Sequence, residues 1–439
     1  MTGPLIRGAY RGAMTLAAAL AVVGARLPGA GRRWPTLAGR LGTLPAAEQA
    51  TARGGDAIWL HAASVGELVA ARALLARLRE RFPRRLFVVS TLTATGLALA
   101  REMSEAHLAC LFPLDAPANV RRRLEPFRLE AFLFTETEVW PTFLGALATR
   151  GVPAILVSGR VSARTAGRAW GLRPLYRQAL APVTCCMQTE DDARRIVALG
   201  ADPRRVHVAG SLKFDAGAAP PPAEIAALAA ALVGRRLIVG GSTHKGEDEA
   251  LLAAYRALVP AHPDLLLLLA PRHPERLEAV EAAVASAALP CFRYTALVGH
   301  EAAGLPPGPA VVLLDAVESL AHCYALGRAA FVGGSLVPAG GHNVLEPARA
   351  ARPILVGPHT EHSAALVTRL AAAGGLVRVE SPAALTAALA GLLSDAERAT
   401  AMGQRARAVA ESGRGSLERH VKIIAARLTT AHAAEASSG

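Results

Sequence analysis

A glycine-rich segment between two apolar stretches, FVGGSLVPAGGHNVLEP at residues 331–347, has the residue types of a nucleotide site. Its glycine pairs at 333–334 and 340–341 let backbone N–H groups approach a phosphate closely, and the start of a following helix adds a positive dipole. Glu346 is placed to accept hydrogen bonds from a ribose diol. One glycine pair would indicate only a tight turn, whereas two pairs at a strand-to-helix turn make a nucleotide site and plain turns about equally good interpretations.

Glu67 ends the segment HAASVGE at residues 61–67, which predicts a strand followed by the start of a helix. A carboxylate at the mouth of such a turn is a plausible general base for a hydroxyl proton. The alternative is a glutamate in the first helical turn that interacts only with the helix dipole.

Two further acids, Glu136 and Glu138, follow a predicted strand in TETEVWP. Either could be catalytic, and either could instead cap the helix predicted to begin near Pro141. Lys213, in GSLKFD, is one of three lysines among 48 basic residues. Its ammonium could offset negative charge on a departing phosphate, or it could be an ordinary loop lysine.

Arg272 follows a run of leucines and could bind a phosphate through its planar guanidinium, with Pro271 fixing the turn before it. The histidines His244 and His273 are assigned no chemistry, because loop histidines are more often structural. No acidic cluster indicates a divalent metal, so we predict that no metal is bound.

The elements that must position these residues alternate short apolar runs with longer amphipathic segments from residue 56 onward, which predicts doubly wound parallel α/β domains. The predicted strands form two series: 58–61, 86–90, 131–135, 154–158, 184–188 and 206–209, then 237–240, 265–270, 310–314, 329–332 and 353–357. Each candidate motif directly follows a predicted strand. Since ligands of doubly wound domains bind at the carboxyl ends of the strands, we expect a ligand cleft between two facing domains.

The predicted domain boundaries follow from changes in composition. The segment AGAAPPP at 216–222 is rich in proline and glycine and indicates a linker. The predicted parts are an anchor with a basic flank at 1–45, an N-terminal domain at 46–215, the linker, a C-terminal domain at 223–430 and a disordered tail at 431–439.

The net charge of +13 and the pI near 10.5 favour an anionic partner. Nucleic acid is disfavoured because aromatic residues make up only 4% and the arginines are scattered. The five cysteines form no CxxC pair, which argues against a disulfide framework or a zinc site and favours reduced thiols in the cytosol.

The uncharged run at residues 12–25, flanked by Arg7, Arg11 and Arg26, is typical of a membrane anchor. A span needs about 20 apolar residues, so this run is short unless the preceding residues join it. A shallow anchor in the membrane interface is an equally good interpretation. A cleaved signal peptide is the third, which the cysteine pattern and the nucleotide-like loop disfavour.

Taken together, the segments HAASVGE, TETEVWP, SGRVSAR, GSLKFD, STHKGE, APRHPER and FVGGSLVPAGGHNVLEP resemble the Kdo transferases of lipopolysaccharide assembly, in the same order and up to about residue 362. The resemblance implies a GT-B glycosyltransferase with two Rossmann-like domains and an N-terminal membrane anchor. It further implies inverting transfer of Kdo from CMP-Kdo to lipid IVA, without a cofactor or bound metal. The expected location is the cytoplasmic face of the cell inner membrane, where the partners are the donor, the lipid acceptor and the membrane surface, and not nucleic acid.

The resemblance also assigns roles to residues. It makes Glu67 the proton acceptor, and Glu136 and Lys213 the groups that stabilise the transition state. The implied CMP contacts are Pro271, Arg272, Val317, Glu318, Ser319, Asn343, Val344, Leu345 and Glu346. The loop at 317–319 departs from the Met-Gly-Glu that is usual in the family, because this chain reads Val-Glu-Ser.

Two alternatives remain on sequence grounds. One is another GT-B enzyme, or a sugar-nucleotide epimerase, that uses a UDP-sugar. The other is a noncatalytic membrane-surface scaffold that retains the nucleotide fold, which the altered loop favours and which Glu67, Lys213 and Arg272 disfavour.

Overall fold

The computed structural model describes residues 2–26, 36–136, 138–161, 165–167, 172–215, 222–299, 305, 307–316 and 319–438. The chain folds into two compact units, one of residues 1–217 with 413–439 and one of residues 218–412.

The first unit is built on a parallel sheet. Its strands are β1 (Asp56–His61), β2 (Leu86–Thr91), β3 (Leu108–Leu111), β4 (Arg128–Thr135), β5 (Ala154–Gly159), β6 (Thr184–Met187) and β7 (Val206–Val208). Its helices up to β7 are α1 (Thr2–Ala25), α2 (Ala46–Arg53), α3 (Val65–Arg81), α4 (Ala94–Glu102), α5 (Pro117–Leu124), α6 (Pro141–Thr149), α7 (Arg173–Leu180) and α8 (Glu190–Leu199). The sheet has seven strands in the order β3-β2-β1-β4-β5-β6-β7, which is the doubly wound arrangement.

The second unit repeats this plan. Its strands are β8 (Arg236–Thr243), β9 (Leu265–Pro271), β10 (Cys291–Arg293), β11 (Ala310–Leu313), β12 (Ala329–Val332), β13 (Ile354–Val356) and β14 (Leu376–Arg378). Its helices are α9 (Ala223–Ala231), α10 (Glu247–Leu258), α11 (Leu277–Ser286), α12 (Tyr294–Gly299), α13 (Leu320–Cys323), α14 (Leu345–Arg349), α15 (Ala364–Ala372), α16 (Pro382–Ser394) and α17 (Ala396–Ser412). The seven parallel strands lie in the order β10-β11-β9-β8-β12-β13-β14.

Both sheets are apolar on both faces, as parallel sheets covered by helices must be. In β1, Trp59 packs into one hydrophobic core of the first unit, while its neighbours Ile58 and Leu60 pack into the other. In β9 the leucines alternate in the same way between the two cores of the second unit. The continuous apolar runs of the sequence therefore mark central strands rather than helices.

The predicted strands are all present, and the candidate motifs lie at or directly after the carboxyl ends of their strands. Three further strands, β3, β10 and β14, were not predicted. Each has three or four residues and forms an edge of its sheet. Short edge strands are covered on fewer sides, so their apolar pattern is weak.

The C-terminal segment differs from the sequence prediction. Residues 413–439 belong to the first unit, so the second unit ends at 412 rather than 430. A last helix, α18 (Ser416–Ser438), runs through residues that were expected to form a disordered tail. Its sequence contains neither glycine nor proline and is rich in alanine, which favours a helix. Residues 216–221 of the predicted linker lie outside the described residues.

Candidate functional site

Glu67 lies in the first turn of α3, directly after β1. Its Oε1 accepts a hydrogen bond from the Ser64 hydroxyl (2.9 Å), and its Oε2 accepts bonds from the Ala63 N–H (3.0 Å) and the Thr135 hydroxyl (2.5 Å). Ser64 in turn is the N-cap of α3, and its Oγ accepts the Glu67 N–H (3.4 Å). The carboxylate therefore serves the helix start, and it also stands partly exposed in a fixed orientation at the carboxyl edge of the sheet.

Glu136 and Lys213 come together in the same unit. The Lys213 Nζ lies 3.1 Å from Glu136 Oε1, and about half of the lysine side chain is exposed. Glu136 directly follows Thr135, the residue whose hydroxyl holds Glu67, so two of the predicted catalytic acids are positioned by neighbouring residues. The backbone of Glu136 has φ +52°, a left-handed conformation that is costly outside glycine and is often found at functional sites.

Glu138 adds a third acid to this region. Burial, followed by the negative charge of Glu67, raises the pKa of Glu138, while hydrogen bonding to Trp140 and the charge of Arg40 oppose the rise. The sequence left open that Glu136 or Glu138 caps α6. For the two N–H groups at the start of α6 whose acceptor the structure identifies, that acceptor is a different residue. Asp115 accepts the N–H groups of Thr142 and Phe143, at 2.8 Å each.

Lys213 is positioned by a network that reaches the last helix. The N–H of its neighbour Leu212 donates to Ser158 Oγ (3.3 Å), and the Ser158 N–H donates to His420 Nε2 in α18 (3.0 Å). Burial lowers the pKa of His420 to about 4, so the ring is neutral and able to accept. Asp215 caps α18 by accepting the N–H groups of Gly415 and Leu417.

The glycine-rich loop of the second unit does not offer all of its N–H groups to a phosphate, contrary to the sequence prediction. The N–H groups of Gly334, Ser335 and Leu336 donate to the carboxylate of Glu247, at 2.7 to 2.9 Å. The Gly333 N–H donates to the Gly241 carbonyl (2.8 Å). Glu247 is fully buried and occupies the position at which an anionic ligand was expected.

The helix after this loop is also a weaker anion site than predicted. With five residues, α14 is too short to have a strong dipole. Glu346 is partly buried, which raises its pKa, and it accepts a hydrogen bond from the Asn343 amide (2.8 Å). Val344 and Leu345 are buried in the second unit, whereas Asn343 is exposed.

The remaining predicted CMP contacts lie at two neighbouring strand ends. Pro271 ends β9, and the exposed Arg272 follows it, with its N–H donating to the Thr243 carbonyl (2.9 Å). Ser319 is buried and precedes α13. Val317 and Glu318 lie outside the described residues.

The sequence analysis missed a group of histidines beside the glycine-rich loop. The His244 and His342 rings are nearly parallel and meet edge to edge, with their Nε2 atoms 2.8 Å apart, and the His273 ring lies 5.4 Å from that of His244. The signal available in the sequence was that each of the three follows a strand end or the loop. Within the described ranges, no three His, Cys, Asp or Glu side chains are grouped so that they could hold a metal ion. Metal independence stays a prediction.

Comparison with known proteins agrees with the resemblance. The family described as 3-deoxy-D-manno-octulosonic-acid transferase (kdotransferase) matches residues 35–216. The chain is 32% identical to the 3-deoxy-D-manno-octulosonic acid transferase of Haemophilus influenzae over 374 residues, and 34% identical to that of Bordetella pertussis over 382 residues. Each alignment covers 84% of this chain and 86% of the relative.

Among solved structures, the UDP-GlcNAc 2-epimerase of Neisseria meningitidis bound to UDP-GlcNAc is similar, with a TM-score of 0.56. The match covers 84% of this chain and all of the epimerase, at 11% identity. So low an identity shows the fold alone. The two parallel seven-stranded sheets and this likeness confirm the predicted α/β fold class of two Rossmann-like domains of GT-B type.

Proposed function

This chain belongs to the 3-deoxy-D-manno-octulosonic acid (Kdo) transferase family, and we propose that it transfers Kdo from CMP-Kdo to lipid IVA with inversion at the anomeric carbon. The observation that carries the proposal is the placement of Glu67. Its carboxylate is fixed by the Ser64 and Thr135 hydroxyls at a strand end, beside the Glu136–Lys213 pair.

The proposed chemistry needs a base and fixed positive charge. As the acceptor hydroxyl oxygen attacks the anomeric carbon, its proton passes to Glu67. The bond between that carbon and the phosphate oxygen breaks, and its electron pair leaves on CMP. Lys213 supplies positive charge for the departing phosphate, which stabilises the transition state more than the ground state. Glu136 orients Lys213 through their ion pair.

For the donor we propose that CMP occupies the second unit. In this proposal Glu346 and Asn343, which are hydrogen-bonded to each other, bind the ribose, and Arg272 binds the phosphate. The loop with Val317, Glu318 and Ser319 is proposed as a further contact, together with the backbone at Pro271, Val344 and Leu345. Because Val344 and Leu345 are buried, any contact with them would be made by backbone atoms.

The reaction is tested by incubating the purified protein with lipid IVA and an in situ supply of CMP-Kdo, and reading the acceptor by mass spectrometry. A mass increment of one or more Kdo units is expected. CMP bound without any increment would overturn the proposed acceptor.

Lys213→Met is expected to lower turnover about 100-fold, at the lower end of the effect of removing one preorganised charge, because the ammonium is half exposed. The KM for CMP-Kdo should change less than kcat, since the charge matters most as the phosphate departs. The transfer assay at saturating donor measures this loss, with Lys422→Met as the control on α18. Equal activities of the two variants would remove Lys213 from the mechanism.

We propose that the protein works at the cytoplasmic face of the inner membrane, with α1 in the membrane interface. Residues 4–25 of α1 are long and apolar enough to cross a membrane. In the structure, however, Tyr10 donates a hydrogen bond to Asp115 (2.8 Å) and Ala18 is buried, so one side of α1 packs on the first unit. Leu5, Leu16, Leu20 and Val23 are exposed on the helix and are available to lipid.

The double variant Leu16→Glu/Leu20→Glu is expected to lower partition onto lipid vesicles at least tenfold, since burying a leucine in an apolar phase contributes about 1.5–3 kcal/mol. Both side chains are more than 60% exposed, so the fold should persist. Flotation with vesicles of anionic lipid measures the bound fraction. A variant with Val233→Glu, an exposed apolar residue of the second unit, serves as the control. Unchanged flotation of the double variant would contradict the role proposed for α1.

A further inference from the structure

The two histidines beside the glycine-rich loop form a pair with unusual geometry. The Nε2 atoms of His244 and His342 are 2.8 Å apart, and the rings are nearly parallel, with 9° between their planes and 5.1 Å between their centroids. His244 directly follows β8, and His342 closes the loop after β12. The pair therefore lies at the carboxyl edge of the second sheet, where the donor is proposed to bind.

The backbone holds this geometry in place. Gly334 has φ +67°, and a Cβ on it would lie 2.8 Å from the His342 ring, so only glycine leaves room for the ring. On the other side, the backbone N–H of His244 donates to Glu247 (2.9 Å), the same buried carboxylate that accepts the N–H groups of the loop. Ser242, two residues before His244, has φ +54°, which is a further strained position in this turn.

Two imidazoles in this arrangement can share one proton but not two. With both rings neutral, one Nε2 donates and the other accepts, so the rings are opposite tautomers. One added proton gives an imidazolium that donates to the neutral ring and keeps the contact. A second added proton would place two N–H groups, and two positive charges, 2.8 Å apart.

In the free protein the surroundings of the two rings disfavour the added proton, so the pair is neutral. Burial, and then the positive charges of His244, Arg272, His362 and His273, lower the pKa of His342 to about 4. Burial also lowers the pKa of His244, with Glu247 opposing and His273, Arg276 and Arg272 adding to the effect. Glu247, whose charge is the largest of those acting on His244 and opposes the lowering of its pKa, is itself held by four backbone N–H groups.

We propose that the His244–His342 pair recognises the carboxylate of the donor sugar by taking up one proton from solvent when that carboxylate binds. The inference rests on the proposed function, in which the donor brings two anionic groups, a phosphate and the sugar acid. Arg272 is always charged and suits the phosphate, which every CMP ligand has. The pair, neutral until an anion approaches, supplies its charge only to a ligand that brings the second anion.

The pair should make donor binding depend on pH in a defined direction. Binding of the carboxylate raises the proton affinity of the pair above its low value in the free protein. Donor affinity is therefore highest below the pKa of the free pair, falls as pH rises toward the pKa of the complex, and is level above it. CMP lacks the carboxylate, so its affinity should not follow this profile.

The test is the ratio of the KM for CMP-Kdo to the inhibition constant Ki for CMP, measured between about pH 6 and 8.5. Groups that bind the CMP part of both ligands affect KM and Ki equally, so their pH dependence cancels in the ratio. For the wild-type protein the ratio is expected to rise with pH. In His342→Gln, which keeps a hydrogen-bonding side chain but cannot take up a proton, the ratio at pH about 6 should be about 10- to 100-fold higher and independent of pH.

His244→Gln replaces the other imidazole of the pair, so that no proton can be shared between two rings. Its ratio of KM to Ki is expected to match that of His342→Gln, which provides a second variant if His342→Gln does not fold. His262→Gln is the control, since His262 lies before β9 at the opposite edge of the sheet. A parallel rise of KM and Ki would show that the pair serves the nucleotide, and would overturn the proposal. A wild-type ratio that does not change with pH would overturn it without any variant. Failure of the wild-type protein to transfer Kdo would instead contradict the proposed function, and with it the inference about the histidine pair.

Discussion

Glu67→Gln is expected to lower turnover by about 10²–10⁴-fold while leaving CMP affinity unchanged, because an amide cannot accept the acceptor's hydroxyl proton. The substitution should preserve the fold. The amide oxygen can still accept from the Ala63 N–H and the Thr135 hydroxyl, and the amide nitrogen can donate to Ser64 Oγ in place of the bond that Ser64 now donates. Turnover is measured by the transfer assay, and CMP affinity by thermal protection.

Two matched variants separate the base from its surroundings. Glu80→Gln lies on α3 with Glu67 but at an exposed surface pair with Arg77, and it should retain full activity. Glu138→Gln tests whether the neighbouring acid, whose pKa burial raises, is the base instead. Full activity of Glu67→Gln combined with a large loss in Glu138→Gln would move the role of base to Glu138.

Glu247→Gln is expected to lower the free energy of unfolding of the protein by about 2–6 kcal/mol and to abolish CMP binding. One carboxylate oxygen accepts the Ser335 and Leu336 N–H groups, and the other accepts those of His244 and Gly334. An amide supplies only one acceptor, so its NH₂ group opposes two buried donors, each of which costs about 1–3 kcal/mol when unsatisfied. Denaturant unfolding of the full chain measures the change.

The control for this variant is Glu249→Gln on the same helix. Glu249 is exposed and accepts the Gly246 N–H (2.7 Å), a bond that an amide oxygen can keep. Its unfolding free energy should stay within about 1 kcal/mol of the wild-type value. If Glu247→Gln were equally mild and still bound CMP, the buried carboxylate would not be what holds the glycine-rich loop.

Local patterns carried most of what could be read from the sequence. The alternation that places Trp59 and Ile58 on opposite faces of β1 identified the central strands. The three-residue spacing of Ser64 and Glu67 is that of the N-cap bond seen in the structure. The three missed strands are short edges with a weak pattern. Helix α18 was misjudged at its end because a polar, alanine-rich terminus reads equally well as a tail or a helix.

Interactions between distant residues could not be read from the sequence. Glu247 reaches Gly334 across 87 residues, and His244 reaches His342 across 98. The glycine pairs predicted a loop that accommodates an anion. Nothing in their spacing showed that the carboxylate of Glu247 accepts the N–H groups of Gly334, Ser335 and Leu336. That part of the loop could therefore not be read from the sequence, and the nucleotide site stays a prediction.

Of the two alternatives weighed on sequence grounds, a UDP-sugar enzyme loses its support. Relatives that are 32% and 34% identical over most of the chain are Kdo transferases, whereas the likeness to a UDP-GlcNAc epimerase is at 11% identity and carries the fold alone. A noncatalytic scaffold is opposed by the fixed carboxylate of Glu67 and by the Lys213–Glu136 pair. A measurement of transfer decides between scaffold and enzyme.

The most direct measurement is mass spectrometry of lipid IVA after incubation with the wild-type protein and with Glu67→Gln, side by side, under the same CMP-Kdo supply. We predict a Kdo increment with the wild-type protein that is lost or reduced at least 100-fold with the variant, although both proteins bind CMP. The number of increments counts the Kdo units added. No increment with a wild-type protein that binds CMP, or equal increments with both proteins, would contradict the account.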